Sequence, residues 1–179
     1  MTALPWGSAL TVEDLEKLPE DGHRYELLDG SLLVTPAPNI LHQRCVARLI
    51  AMFLAAAGSD HEVIVAPFDW VLGPATLFQP DLMVARREDV GFQRIERSPL
   101  LVVEVLSPST RRFDLALKRM AYAEAGVPAY WLVDPHVPAL TILDLEGDQY
   151  SEVTTVTGDT PWSSTFPFEA TIVPSALVA

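Results

Sequence analysis

"PLLVVEVLSPST", residues 99–110, decides how this chain is read. Between Leu100 and Leu106 six apolar residues surround one carboxylate, Glu104, in a run that has the composition of a strand buried on both faces. An isolated ionised carboxylate there costs several kcal/mol. The chain must therefore supply a proton, a cation or several hydrogen bonds.

The segments on either side set the fold class. "RRFDLALKRMAYAEAG" is helical by propensity and is closed by Gly126, with Pro128 just beyond. "AYWLVD" then resumes as a strand apolar enough to be central. A crossover of this length predicts parallel pairing of 100–106 with 129–134. Upstream, Thr11 and Asp14 bracket the start of a short helix, "VEDLEKL", that should end before Pro19. "HRYELLDGSLLVTP" is a hairpin around Asp29-Gly30. Asn39 caps "ILHQRCVARLIAMFLAAAG", whose apolar stripe is Val46, Leu49, Ile50, Phe53 and Leu54 and whose stop is Gly58. "HEVIVAPFDWVL" and "TLFQPDLMVA" read as strands with Pro67 and Gly73-Pro74 between or beside them. "ALTILDLEGDQYSEVTTV" is a second hairpin around Glu146–Asp148, while "FPFEATIVPSALVA" has no decided pattern. The expected architecture is α/β: a mixed sheet flanked by helices, with hairpins toward both ends, in one domain over 1–179 with its core at about 11–160.

With 179 residues, 49% of them hydrophobic, the chain can bury one core of ordinary size. No apolar run approaches the roughly 18 residues of a membrane span. "MTALPWGSALTVEDLEK" lacks a basic start followed by an apolar stretch, so the expectation is a cytoplasmic, unprocessed protein with no membrane partner. The single cysteine, Cys45, excludes a disulfide within one chain and reads as a packed thiol. A net charge of −12 argues against non-specific attraction to nucleic acid. Yet eight of the 12 Lys and Arg residues fall between Arg86 and Arg119, against five acids. Any anion should bind in this basic window, 86–119, unless the window is simply a solvated surface.

Asp81 follows Pro80 near the start of a strand, and Glu104 lies in the next one. If the two strands are neighbours, the carboxylates repel, and a hard divalent ion resolves both the repulsion and the burial. Magnesium uses one or two protein carboxylates and keeps waters and phosphate oxygens. Lys118 is either a surface i,i+4 partner of Asp114 or an ammonium reaching back over the strand ends toward that site. Glu26 alternates with Tyr25 and Leu27 and reads by period as a solvent-facing residue. His42 borders the apolar stripe of its helix, packed there or pointing at a site.

"PD" at 80–81, "EVL" at 104–106 and a lysine on the next helix resemble the PD-(D/E)XK nuclease superfamily. More narrowly, "YELLDG", "PAPNILH", "QPDLMVA", "VVEVLSPST" and "DLALKRMAYAEAGVPAYWLVD" resemble the Uma-type family of restriction endonucleases, from about residue 11 onward. The resemblance implies a restriction-endonuclease-like core and a Mg2+ or Mn2+ site held by Asp81, Glu104 and Glu26. It makes Lys118 and His42 further catalytic residues, the latter at the mouth. The implied activity is metal-dependent hydrolysis of nucleic acid, DNA above RNA, by a homodimer to which apolar edges around 129–144 would contribute. One departure stands out: two residues after Glu104, where the superfamily's simplest pattern has lysine, this chain has Leu106. The alternative is a catalytically idle nuclease-fold module used in binding or assembly. Against it, a strand freed from chemistry would gain by replacing Glu104 with an apolar residue.

Overall fold

The computed structural model describes residues 9–19, 21–108, 111 and 113–179. The expected lead-in at Ser109, Thr110 and Arg112 lies outside the described residues, as do residues 1–8 of the N-terminal reading. The short helix α1 (Val12–Leu15) starts where Thr11 N–H donates to Asp14 Oδ2 at 3.1 Å. β1 (Arg24–Leu28) and β2 (Ser31–Thr35) then form the expected hairpin, in register Leu28 to Ser31. Asp29 (φ 48°) and Gly30 (φ 77°) both take the left-handed conformation that a two-residue type I′ turn demands. A Cβ on Gly30 would also lie 2.5 Å from Ala9 Cβ, so no other residue fits.

α2 (Ile40–Ala56) begins with Asn39 accepting the His42 N–H at 3.0 Å. Its buried stripe is His42, Cys45, Val46, Leu49 and Phe53; Leu54 is exposed. The helix leaves through Ala57 in extended backbone, and Gly58 is not left-handed, so the expected glycine stop is not used. Two expected strands prove to be four. β3 (His61–Val65) and β4 (Asp69–Gly73) flank Pro67, and β5 (Thr76–Phe78) and β6 (Leu82–Arg86) flank Pro80. After β7 (Arg94–Ile95) comes β8 (Leu101–Val105), the strand of Glu104. The following helix is compound: Phe113–Lys118 winds as a π-helix and α3 (Arg119–Glu124) as an α-helix. It closes as expected at Gly126 (φ 75°), with Val127 N–H to Tyr122 O and Gly126 N–H to Ala123 O forming a Schellman motif. β9 (Ala129–Asp134), β10 (Ala139–Glu146), β11 (Gln149–Thr157), β12 (Trp162–Ser164), β13 (Ala170–Ile172) and α4 (Pro174–Val178) complete the chain.

Six strands in the order β11-β10-β9-β8-β6-β3 form a mixed sheet, in which β8 and β9 run parallel as expected and the other pairs are antiparallel. A five-stranded sheet, β2-β1-β5-β4-β7, packs against it. Alternation along β8 divides the core. Leu101, Val103 and Val105 meet α2 and α4; Val102 and Glu104 face the other way, toward α3 and the aromatic residues of the five-stranded sheet. Strands 129–134 and 139–146 are interior, because β11 covers β10, so the apolar edge expected at 129–144 does not exist. Among the described residues no helix is long and apolar enough to cross a membrane.

Phe53 is fully buried, edge-on to Trp131 and Phe168 with ring centroids 5.7 and 5.3 Å away. Phe53→Ala should therefore lower unfolding free energy by about 3–5 kcal/mol, while Leu54→Ala on the same helix should change it by under about 0.5 kcal/mol. Urea denaturation of the two variants checks this.

Candidate active site

The chain crosses between the two sheets twice at one place. It leaves the six-stranded sheet after β3, through Ala66-Pro67, and returns before β6, through Gln79-Pro80-Asp81. Pro80 has no N–H to donate, so the β5 ladder cannot run on into β6. Asp81 thus stands one residue beyond the last β6–β8 pair, Leu82 with Val103. Ala66 N–H donates to Asp81 O at 3.3 Å and clips the two crossings together.

Around this junction polar side chains are sealed in. Glu26, Asp81, Glu104, Asp114 and Lys118 are all at most 3% exposed. Asp81 Oδ2 accepts the Val105 N–H at 2.8 Å and lies 2.9 Å from His42 Nε2, while Oδ1 accepts from Arg24 Nη1 at 2.7 Å. Glu104 Oε1 accepts from Lys118 Nζ at 2.9 Å and Tyr122 Oη at 2.8 Å; Oε2 accepts the Asp81 N–H at 3.4 Å. The two carboxylates are therefore neighbours on adjoining strands. Lys118 Nζ also lies 3.0 Å from Glu26 Oε1 and 3.7 Å from Asp114 Oδ1. Glu26 Oε1 in turn accepts the Gln79 N–H at 2.8 Å.

Electrostatics separates the acids. Burial works to raise the Asp81 carboxyl, but the His42 hydrogen bond and the Arg24 guanidinium together hold it well below the usual range. Burial pushes the Glu104 carboxyl up to about 8; Asp81 and Asp114 add to the rise, and Lys118 and Arg24 oppose it. Burial alone would lower Lys118, yet Glu104, Glu26 and Asp114 outweigh it and keep the ammonium charged. For Glu104, burial with Asp81 and Asp114 nearby thus outweighs the Lys118 ammonium and favours the protonated carboxyl. A cleft of about 100 Å3, lined by Arg24, Pro38, Asn39, His42 and Ala66, reaches the cluster at Asp81. It adjoins a groove of about 570 Å3 with which it shares Arg24, Pro38, Gln43 and Ala66. Among the described residues, no group of three or more His, Cys, Asp or Glu side chains forms a ready metal cage.

All five residues singled out from sequence meet here. Two local expectations are corrected. Glu26 has no solvent face, because β1 is an interior strand with both faces covered. Lys118 is no surface partner of Asp114, because both are buried. Leu106 lies in the core, donating its N–H to Val133 O at 2.8 Å. Cys45 is buried, which pushes its thiol up to about 11 and makes it an inert packed group. Arg24, Gln79 and Tyr122 also belong to the cluster and carry no motif of their own. Arg24 is two residues before Glu26 and so on its face of the strand, and Tyr122 is one helical turn after Lys118; these spacings were the available signals. The basic window is largely neutralised within the protein. Arg87, Arg94, Arg97 and Arg111 pair with Glu62, Glu96, Asp89 and Asp134, and Lys118 is interior.

This fold has a solved counterpart. A crystal structure from Anabaena variabilis ATCC 29413, described as a putative nuclease belonging to DUF820, is similar with a TM-score of 0.72 at 16% identity, over 94% of this chain and 97% of that one. The fold is thus restriction-endonuclease-like. Residues 12–174 match the model of the Uma2 family, described as "Putative restriction endonuclease", and the chain belongs to that family. No curated protein matches it in sequence.

A carboxyl whose folded pKa is about 8, above its ordinary 4.5, stabilises the fold fully below the unfolded value and loses that contribution as pH rises through the folded one. The Tm of the metal-free protein should accordingly fall between about pH 5 and 9. Glu104→Gln should flatten that slope, which a calorimetric pH series measures.

Proposed function

We propose that this chain is a divalent-metal-dependent endonuclease that hydrolyses phosphodiester bonds, with DNA as substrate. The observation that carries the reading is the junction of Asp81 and Glu104 on adjoining strands, with the Lys118 ammonium buried 2.9 Å from Glu104. Such a buried charge cluster stabilises a fold poorly compared with apolar packing, so its presence favours chemistry over an idle scaffold. Family membership supports the same class of activity.

The donor set fits a hard cation. Glu104 Oε2 has only the long 3.4 Å contact from Asp81 N–H. Both Asp81 oxygens are engaged by Arg24, Val105 and His42, so a cation bound by Asp81 would displace one of those partners. With no third acid caged beside them, Asp81 and Glu104 would hold Mg2+ or Mn2+, with waters and phosphate oxygens completing the shell. When bound, such an ion polarises a phosphoryl oxygen and lowers the pKa of a coordinated water. Lys118, fixed by Glu104 and Glu26, donates its ammonium protons to charge developing on the phosphoryl group. Glu26 positions Lys118 through its Oε1, which also accepts the Gln79 N–H. Arg24 lines the cleft beside Asp81 and is placed to clamp a phosphate, and His42 orients Asp81 from the other oxygen. Phosphate approach is thereby assigned to Arg24 ahead of the wider window at 86–119. A homodimer would present two such sites to one nucleic acid.

Calorimetric titration with Mn2+ and Mg2+ should show saturable binding that is lost in Asp81→Asn and Glu104→Ala, and metal-dependent cleavage of DNA should be abolished in both. Lys118→Met should lower the cleavage rate by about 100-fold or more while metal binding persists. Cleavage at the wild-type rate by Glu104→Ala would overturn the proposal.

A further inference from the structure

"VGFQRI", residues 90–95, carries a feature that the chemistry above does not use. Phe92 is 99% exposed, the most exposed large apolar side chain among the described residues. Its ring forgoes all the burial that phenyl groups gain elsewhere in this chain. The backbone does not let it fold down. Val90 and Ile95 form an antiparallel bridge, and Gly91 N–H donates to Arg94 O at 3.1 Å, closing a four-residue turn. A Cβ on Gly91 would lie 2.6 Å from that same oxygen, so the turn is built on glycine. Ile95 is fully buried and pairs with Trp70 of β4, which anchors the turn to the five-stranded sheet. The result is a closed turn that holds an aromatic ring in water.

The tip stands beside the route to the site. The residues after Phe92, Gln93 and Arg94, line the groove that also carries Tyr25, Gln79 and Arg24, and Arg24 contacts Asp81. Asp69 and Glu16 line it too, and Arg94 pairs with Glu96 at 2.9 Å, so the groove has little net positive charge to offer. In a chain of net charge −12, phosphate attraction is a weak source of affinity. Stacking on a nucleobase is the alternative source. It needs an exposed, rigid ring, tolerates any base, and is insensitive to net charge.

Resting on the endonuclease reading above, we propose that Phe92 is a nucleobase-stacking wedge at the groove rim, through which the enzyme engages an unpaired base near the bond to be cut. Bases inside a duplex present no free face, so the preferred substrate is single-stranded, frayed or mismatched DNA.

The test is fluorescence anisotropy of a labelled 12-nucleotide single strand and the matching blunt duplex, in EDTA to prevent cleavage, with sedimentation of each protein alongside. Phe92→Ala should weaken single-strand binding about tenfold and change duplex binding less than about twofold. Phe92→Trp should retain the affinity, and its added fluorescence should be quenched on binding. Unchanged single-strand affinity in Phe92→Ala, from a wild type that binds and cleaves, overturns the wedge and leaves the endonuclease reading standing. Conversion of a dimer to a monomer by Phe92→Ala also overturns it, since the ring would then be a subunit contact. A wild type that neither binds nor cleaves any DNA with Mn2+ removes the endonuclease reading and the wedge together.

Discussion

The ammonium of Lys118, sealed between Glu104 and Glu26, is the interaction on which the rest of the structure depends. It joins three parts of the fold: β8 of the larger sheet, β1 of the smaller sheet, and the π-helical segment that delivers the lysine. Buried charges tolerate little slack, because removing one partner leaves the others uncompensated in a medium of low polarity. The relative placement of two sheets and a helix is therefore set by a few charge-assisted hydrogen bonds, with the aromatic residues Trp70, Phe78, Tyr122 and Tyr130 packed beneath them. Packing supplies most of the stability, and the charge cluster selects which packing is acceptable.

What could be read from the sequence follows from range. The Asp29-Gly30 turn, the Asn39 cap, the Gly126 stop and the parallel pairing of β8 with β9 are each specified within one element or one crossover, and all were legible. The central acid was legible too, since Glu104 interrupts an otherwise apolar strand. Its period marks Glu26 as solvent-facing, because a period of two records alternation and says nothing about whether both faces are covered. Leu54 fits the apolar period yet is exposed, because the buried stripe of α2 is narrower than its apolar content. The breaks at Pro67 and Pro80 were visible as punctuation, but that they divide strands between two sheets is a tertiary fact. So is the neutralisation of Arg87, Arg94, Arg97 and Arg111, whose partners come from pairings that spacing alone does not fix.

The π-winding of Phe113–Lys118 has no signal in the sequence, because helical propensity does not distinguish it from an α-helix. Such winding is rare and concentrates at functional sites. Here it belongs to the segment that turns Asp114 and Lys118 inward, toward the acids of both sheets. An acidic protein thus keeps a cationic group at the centre of its buried charge cluster, even though its net charge of −12 repels a polyanion. Local arrangement and net charge answer different questions: the first sets what the site does, the second how strongly distant charge helps a substrate arrive.

Asp81 accepts the Val105 N–H, a bond that a backbone carbonyl would accept if β6 continued as a regular strand. One carboxylate is thus both a stitch in the central sheet and a charge at the site. For protein engineering this separates two substitutions that look alike on paper. Asparagine at 81 keeps an acceptor for the strand and removes the charge, giving a silent scaffold of the same shape. Alanine unpicks the sheet at its centre as well, so a loss of activity there confounds chemistry with architecture.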